Sequence, residues 1–147
     1  MRSYSSANPS ETRALGQRLA EKLRPGHLIL LHGDLGAGKT CFTQGIAAGL
    51  GVDGPVQSPT FILIAEYPAA RVPLRHVDLY RLERTEEILA LGLEERLDDG
   101  VWVVEWAERF ADSWPADRLE VELQEEGEGR RLIFRATGAD HRELEDV

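Results

Sequence analysis

One cysteine and one asparagine occur in these 147 residues, and acidic side chains outnumber basic ones by 26 to 17. Each scarcity excludes something. A lone Cys41 cannot close an internal disulfide, so folding rests on packing, and a reducing compartment suits such a chain. The longest apolar run, His27-Leu-Ile-Leu-Leu31, falls far short of the ~20 residues that a membrane helix needs. The opening residues MRSYSSANPS have no signal-peptide apolar stretch. A cytoplasmic protein with no membrane contact is therefore expected. The formal net charge of −9 has the wrong sign for gripping nucleic acid by counterion release, so any such role would pass through a partner.

What is present has clear periodicity. With Ser10 as N-cap, Leu15, Leu19 and Leu23 recur every four residues until Pro25-Gly26, which predicts an amphipathic helix. His27 to Leu31 predicts a central strand covered on both faces. From Lys39 the stripe Phe42, Ile46 and Leu50 predicts a second helix, stopped by Gly51. Val52 to Thr60 reads as a loop, and Phe61 to Tyr67 and Leu74 to Tyr80 as strands joined across Pro68 to Pro73. Thr85 reads as the cap of a helix reaching Leu91, and Leu93 to Leu97 as a short helical turn after Gly92. Val101 to Glu105 is again nearly all apolar. A short helix around Ala107 to Asp112 follows, then the Trp114-Pro115 break. Two alternating segments, Leu119 to Leu123 and Arg131 to Arg135, flank the turn Glu126-Gly-Glu-Gly129, a hairpin with one wet face. Asp140 to Val147 is expected to form a loose helix or fray. The expected fold is a single three-layer α/β domain, with a mixed, mostly parallel central sheet and a C-terminal antiparallel hairpin.

A strand before and a helix after give meaning to Gly33-Asp34-Leu35-Gly36-Ala37-Gly38-Lys39-Thr40, which satisfies GxxxxGK(S/T), the phosphate-binding loop of P-loop proteins. Its glycines permit backbone conformations closed to residues with a Cβ and turn N–H groups toward phosphate oxygens. The helix that follows adds the positive end of its dipole. Lys39 is placed to neutralise the β- and γ-phosphates, and the Thr40 hydroxyl to complete a magnesium shell. Cys41, next in line, belongs to the nucleotide-contacting stretch, its thiol serving as a small helix side chain. Magnesium also calls for an acidic residue at the end of a neighbouring apolar strand, and two candidates exist. Glu105 closes Val101-Trp-Val-Val104. Asp78 lies in Arg75-His-Val-Asp-Leu-Tyr-Arg81, where alternation puts His76, Asp78 and Tyr80 on one side. Glu105 is expected in the magnesium shell, with Asp78 near it as a further metal-side carboxylate or positioning the attacking water. His76 reads as structural, because His27, His32 and His141 show no ligand spacing around it. Thr60, in Ser58-Pro-Thr-Phe61, occupies the place of a nucleotide-sensing switch and is a candidate reporter of the γ-phosphate. With Asn8 the single asparagine, no Asn-Lys-x-Asp segment exists to read guanine, so ATP is favoured. An ATPase that drives a partner, a small-molecule kinase and a binding module without turnover all remain open, although no clear kinase-type lid appears between Glu83 and Gly100.

In order along the chain, GDLGAGKT at Gly33, SPTF at Ser58, HVDLYRL at His76 and VEW at Val104 resemble the bacterial TsaE (YjeE) family of tRNA threonylcarbamoyladenosine biosynthesis ATPases. The resemblance runs from about Ser10 to the Gly129-Arg130 turn. It implies a cytoplasmic P-loop ATPase that uses ATP, releasing ADP, and Mg2+. Such proteins work with TsaD and TsaB in a complex that transfers a threonylcarbamoyl group to the adenosine beside the anticodon in tRNAs reading codons that begin with A. The family member is not itself the transferase, and tRNA is held mainly by its partners. The resemblance implies phosphate contacts from Leu35 to Thr40, magnesium contacts from Thr40 and Glu105, and a Walker B-like aspartate at Asp78. It sets Trp106 near the nucleotide and the partner surface, and places nucleotide contacts at Thr12 and Gly129. Lys39, Asp78 and Glu105 are the residues expected to carry catalysis. Cys41 departs from the threonine frequent in the family.

Overall fold

A computed structural model of the chain describes residues 1–34, 36–57, 59, 63–68 and 71–147. Its first element is a strand that the sequence pattern does not announce, β1 (Arg2–Ser6), whose residues RSYSS lack apolar alternation. It forms because it lies antiparallel along the last strand, with Arg2 opposite Phe134 and Ser6 opposite Arg130. Helix α1 (Pro9–Ala20) starts one residue before the expected cap. Asn8, not Ser10, is the N-cap: its side chain accepts from the Glu11 N–H at 2.9 Å, and Pro9 loses nothing in a first turn whose N–H groups have no helical partner. The remaining elements are β2 (Leu28–His32), α2 (Lys39–Gly49), β3 (Ile64–Tyr67), β4 (Leu74–Asp78), α3 (Thr85–Leu89), α4 (Leu93–Arg96), β5 (Val101–Glu105), β6 (Arg118–Glu126) and β7 (Gly129–Thr137). Short 3-10 segments lie at Leu97–Asp99, Ala107–Ser113 and Arg142–Glu145.

The strands form one mixed sheet in the order β1-β7-β6-β2-β5-β4-β3. β6, β2, β5 and β4, in the middle, run parallel. β1/β7, β7/β6 and β4/β3 are antiparallel, so "mostly parallel" describes only the centre. The late hairpin is no appendage either, because β6 pairs directly with β2.

β2 is apolar from Leu28 to Leu31, where both of its faces are covered. Leu28 and Leu30 enter one core with Ile88, Leu93, Trp102 and Val104. Ile29 and Leu31 enter the other with Leu15, Leu19, Phe42 and Ile46. Each such side chain contributes about 1.5–3 kcal/mol by leaving water. α1 and α2 thus cover one face, α3 and α4 the other. Glycines bring α1 and α2 close together: a Cβ at Gly45 would lie 2.1 Å from the Arg13 carbonyl oxygen, and one at Gly16 2.4 Å from that of Phe42.

Several boundaries differ from expectation. α1 stops at Ala20, although Leu23 is still buried. α3 ends at Leu89, with Arg84 rather than Thr85 in the cap position. β4 ends at Asp78. The strand expected from Phe61 is described from Ile64, residues 61 and 62 lying outside the described set. Of the two outcomes expected for the C-terminal segment, a helical turn is the one found, at Arg142–Glu145, with Leu144 buried in the core. Among the described residues, no helix is long and apolar enough to cross a membrane.

Candidate functional site

The connection between β2 and α2 is a glycine turn at the C-terminal ends of the parallel strands. Gly33, Gly36 and Gly38 have φ of +145°, +81° and +102°. A Cβ at Gly33 would also meet the Leu123 carbonyl oxygen at 2.6 Å, whereas nothing lies within 4 Å at Gly36, where the dihedral alone demands glycine. The Asp34 carbonyl accepts from the Ala37 N–H at 3.1 Å, and Gly38 leads into α2 with no side-chain cap. The uncapped N-terminus suits an anion. Leu35 lies outside the described residues.

Lys39, the first residue of α2, is buried. Its Nζ donates to the Gly33 carbonyl at 2.7 Å and stands 3.5 Å from the centre of the Trp106 ring. Burial lowers its pKa below the ordinary lysine value, against the opposing pull of the Glu105, Glu108, Asp78 and Asp34 carboxylates. Trp106 follows β5 in the left-handed region, φ +63°, a costly conformation for a bulky side chain. Its ring lies between Lys39 and Tyr80, 5.2 Å from the latter.

Asp78 and Glu105 end adjacent parallel strands directly opposite one another, and both are buried. Asp78 Oδ1 accepts from the Tyr80 N–H at 2.9 Å. β4 ends at Asp78, so the strand alternation read through Tyr80 stops short of it, and Tyr80 is 47% exposed. His76 Nε2 donates to Glu105 Oε2, so the histidine read as structural touches the predicted site. Among the described residues, no three His, Cys, Asp or Glu side chains form a metal cage. This donor set still fits magnesium, which is held by one or two carboxylates while phosphates and water complete its shell. Thr40, Glu105 and Asp78 are the side chains that could hold it.

Two clefts flank the turn. The smaller, about 250 Å³, brings Thr12 and Gly129 together with Gly36, Gly38 and Cys41. Thr12 is fixed there by a 2.7 Å hydrogen bond with the Ser6 hydroxyl. Arg130, which the sequence reading missed, borders the same cleft and donates to the Gly36 carbonyl at 2.9 Å. Gly129 beside it was the available signal, but the β1 register that sets Arg130 opposite Ser6 is not visible in sequence. The larger cleft, about 600 Å³, is lined by Asp34, Glu108, Glu122 and Glu125, carboxylates that repel a polyphosphate. At its wall His32 bridges Glu108 (3.0 Å) and Glu120 (2.8 Å). Burial opposes protonation of His32, yet these two bonds and charges raise its pKa overall. Burial is likewise the largest single influence on Glu108 and works to raise its pKa, but the bond and charge of His32, a backbone hydrogen bond and the Lys39 charge together leave it lowered. Neither residue stood out in sequence, because the cluster draws on β2, β6 and the segment after β5. Thr60, with Ser58 and Phe61, lies outside the described residues.

A sequence model of the threonylcarbamoyl adenosine biosynthesis protein TsaE matches residues 6–133. The chain is 43% identical over 137 residues to the tRNA threonylcarbamoyladenosine biosynthesis protein TsaE of Bacillus subtilis (strain 168), covering 92% of this chain and 85% of that protein. It is 46% identical over 114 residues to the TsaE of Streptomyces coelicolor, covering 76% and 77%. The crystal structure of Bacillus subtilis YdiB superposes with a TM-score of 0.84 at 36% identity, covering 97% of this chain and 90% of that one. The glycine turn, the opposed carboxylates and Gly129 all fall inside the matched span, and this chain belongs to the TsaE family of tRNA threonylcarbamoyladenosine biosynthesis proteins.

Proposed function

We propose that this chain is a three-layer P-loop NTPase that hydrolyses ATP with magnesium in the cytoplasm. It acts beside TsaB and TsaD in forming threonylcarbamoyladenosine next to the anticodon of tRNAs reading codons that begin with A, and is not the transferase. The observation that carries this reading is Lys39, a buried ammonium between the Gly33 carbonyl and the Trp106 ring, behind a glycine turn and beside two register-paired carboxylates. Such a cation suits a polyphosphate, whose oxygens replace the solvation that burial removes.

The backbone from Gly33 to Thr40 takes the phosphates, and the cleft of Thr12, Cys41 and Gly129 takes the nucleoside. Thr60 reports the γ-phosphate. Thr40 and Glu105 would hold the magnesium, which when bound would offset negative charge on the nucleotide's phosphates. Asp78 orients the attacking water. The water oxygen bonds to the γ-phosphorus as the bond to the β–γ bridging oxygen breaks, one water proton passes to a γ-phosphate oxygen to give dihydrogenphosphate, ADP leaves with the electron pair, and Lys39 offsets the charge building on it. The net charge of −9 accords with tRNA being held by the partners.

Phosphate release by the purified chain with ATP and Mg2+ tests the reading. Slow turnover that rises when TsaB, TsaD and tRNA are added is expected. A phosphorylated small acceptor as the product would instead make the protein a kinase, and tight ATP binding with no ADP formed in any mixture would make it a binding module.

A further inference from the structure

Glu105 and Asp78 face each other across β5 and β4, both almost fully buried, an arrangement in which like charges push apart. Asp78 is anchored by the Tyr80 N–H. Glu105 is anchored by His76, which lies two residues before Asp78 on β4, opposite Val103, so its imidazole reaches diagonally to the Glu105 carboxylate. His76 is 0% exposed, and its Nδ1 has no partner among the described residues. A buried imidazole with one nitrogen unpaired costs stability that a valine or leucine on the same strand face would not. Packing therefore does not explain a histidine here. Its Nε2–H bond to Glu105 does.

We infer that His76 is a positioning residue for the metal site: by engaging Oε2 of Glu105 it holds that carboxylate against repulsion from Asp78 and orients it toward the magnesium. This rests on the metal reading of Glu105 proposed above. Outer partners of this kind raise metal affinity by fixing a ligand that would otherwise have to be ordered on binding.

The test is binding of a fluorescent ADP analogue to the purified chain, followed by anisotropy in EDTA and across a Mg2+ titration. The wild type, Glu105→Gln, His76→Leu, His76→Asn and His76→Gln are compared. The Gln amide reaches about where Nε2 sits, whereas the shorter Asn amide falls near Nδ1. Affinity in EDTA is expected to stay unchanged in the His76 variants. The half-saturating Mg2+ concentration should rise about tenfold or more in His76→Leu and His76→Asn, with His76→Gln near wild type. If His76→Leu does not fold, the contrast between Asn and Gln decides. A wild-type Mg2+ requirement in the Asn or Leu variant overturns the positioning role alone. So does a loss of affinity equal in EDTA and in Mg2+, or a Gln variant no better than Asn. A wild type indifferent to Mg2+, or a Glu105→Gln variant with wild-type Mg2+ dependence, overturns the metal reading and the role of His76 with it.

Discussion

Lys39 makes its two observed contacts with partners from different places in the chain, the Gly33 carbonyl at the end of β2 and Trp106 at the end of β5. In the mechanism proposed above, replacing it would remove the charge that offsets the leaving ADP, and replacing Glu105 would remove a magnesium ligand. Lys39→Ala and Glu105→Ala are each expected to lower phosphate release by about a hundredfold or more, and normal hydrolysis in both would sink the site assignment. Lys39 and Thr40 were nameable from sequence as candidates because the glycine loop is contiguous and each residue type in it has an expected task. Arg130 and the His32–Glu108–Glu120 cluster were not, because their partners are remote in sequence. The cluster also carries a pH signature. His32 has a raised folded pKa, so its contribution to stability is complete below the unfolded value of about 6.5 and is lost as pH rises through the folded value. Melting curves from pH 6 to 9 should therefore show a loss in the wild type that His32→Gln lacks. Parallel curves would refute the assignment.

At the scale of elements, the pairing of α1 with α2 decides whether the cleft proposed for the nucleoside exists. Thr12 reaches that cleft only because Gly45 lets α1 approach α2. A methyl group at Gly45 would meet backbone, which cannot rotate aside. Gly45→Ala is predicted to cost about 1–3 kcal/mol, seen as a lower Tm, and to weaken ADP binding as Thr12 moves away. An unchanged Tm and affinity would contradict the contact. Elements with strong local signals, such as the apolar runs of β2 and β5 and the Phe42, Ile46, Leu50 stripe of α2, were readable from residue order. β1 was not, since RSYSS becomes a strand only when β7 offers its edge. The cap of α1 was misplaced because Asn8 and Ser10 are both good caps, and the seat of Pro9 in the first turn decided between them.

At the scale of the molecule, the chain's end is tied to the start of the sheet by two buried histidines whose rings are 4.9 Å apart. His27 accepts from the Arg24 N–H at 2.9 Å and donates to the Asp140 carbonyl at 3.1 Å. His141 accepts from the Leu28 N–H at 2.8 Å and donates to Asp117 at 2.7 Å. Protonating the His27 ring forfeits its bond from the Arg24 N–H. Burial, with His141 and Arg24 nearby, holds the His27 pKa below its ordinary value, although Asp140 pulls the other way. Its contribution is thus present above about pH 6.5 and lost as pH falls through the folded value, opposite in sign to His32. Between pH 7 and 5 the wild-type Tm should fall more steeply than that of His27→Gln, and equal slopes would contradict the tie. Residue order alone determined the phosphate loop, the main helices and strands, the paired-carboxylate candidates and the family, because each is written in local spacing or in short motifs. Only the tertiary structure decided that β6 enters the sheet beside β2, that Thr12, Cys41, Gly129 and Arg130 share one cleft, and that His76 holds Glu105. Those facts depend on register between strands distant in sequence, and register is set by which surfaces bury one another.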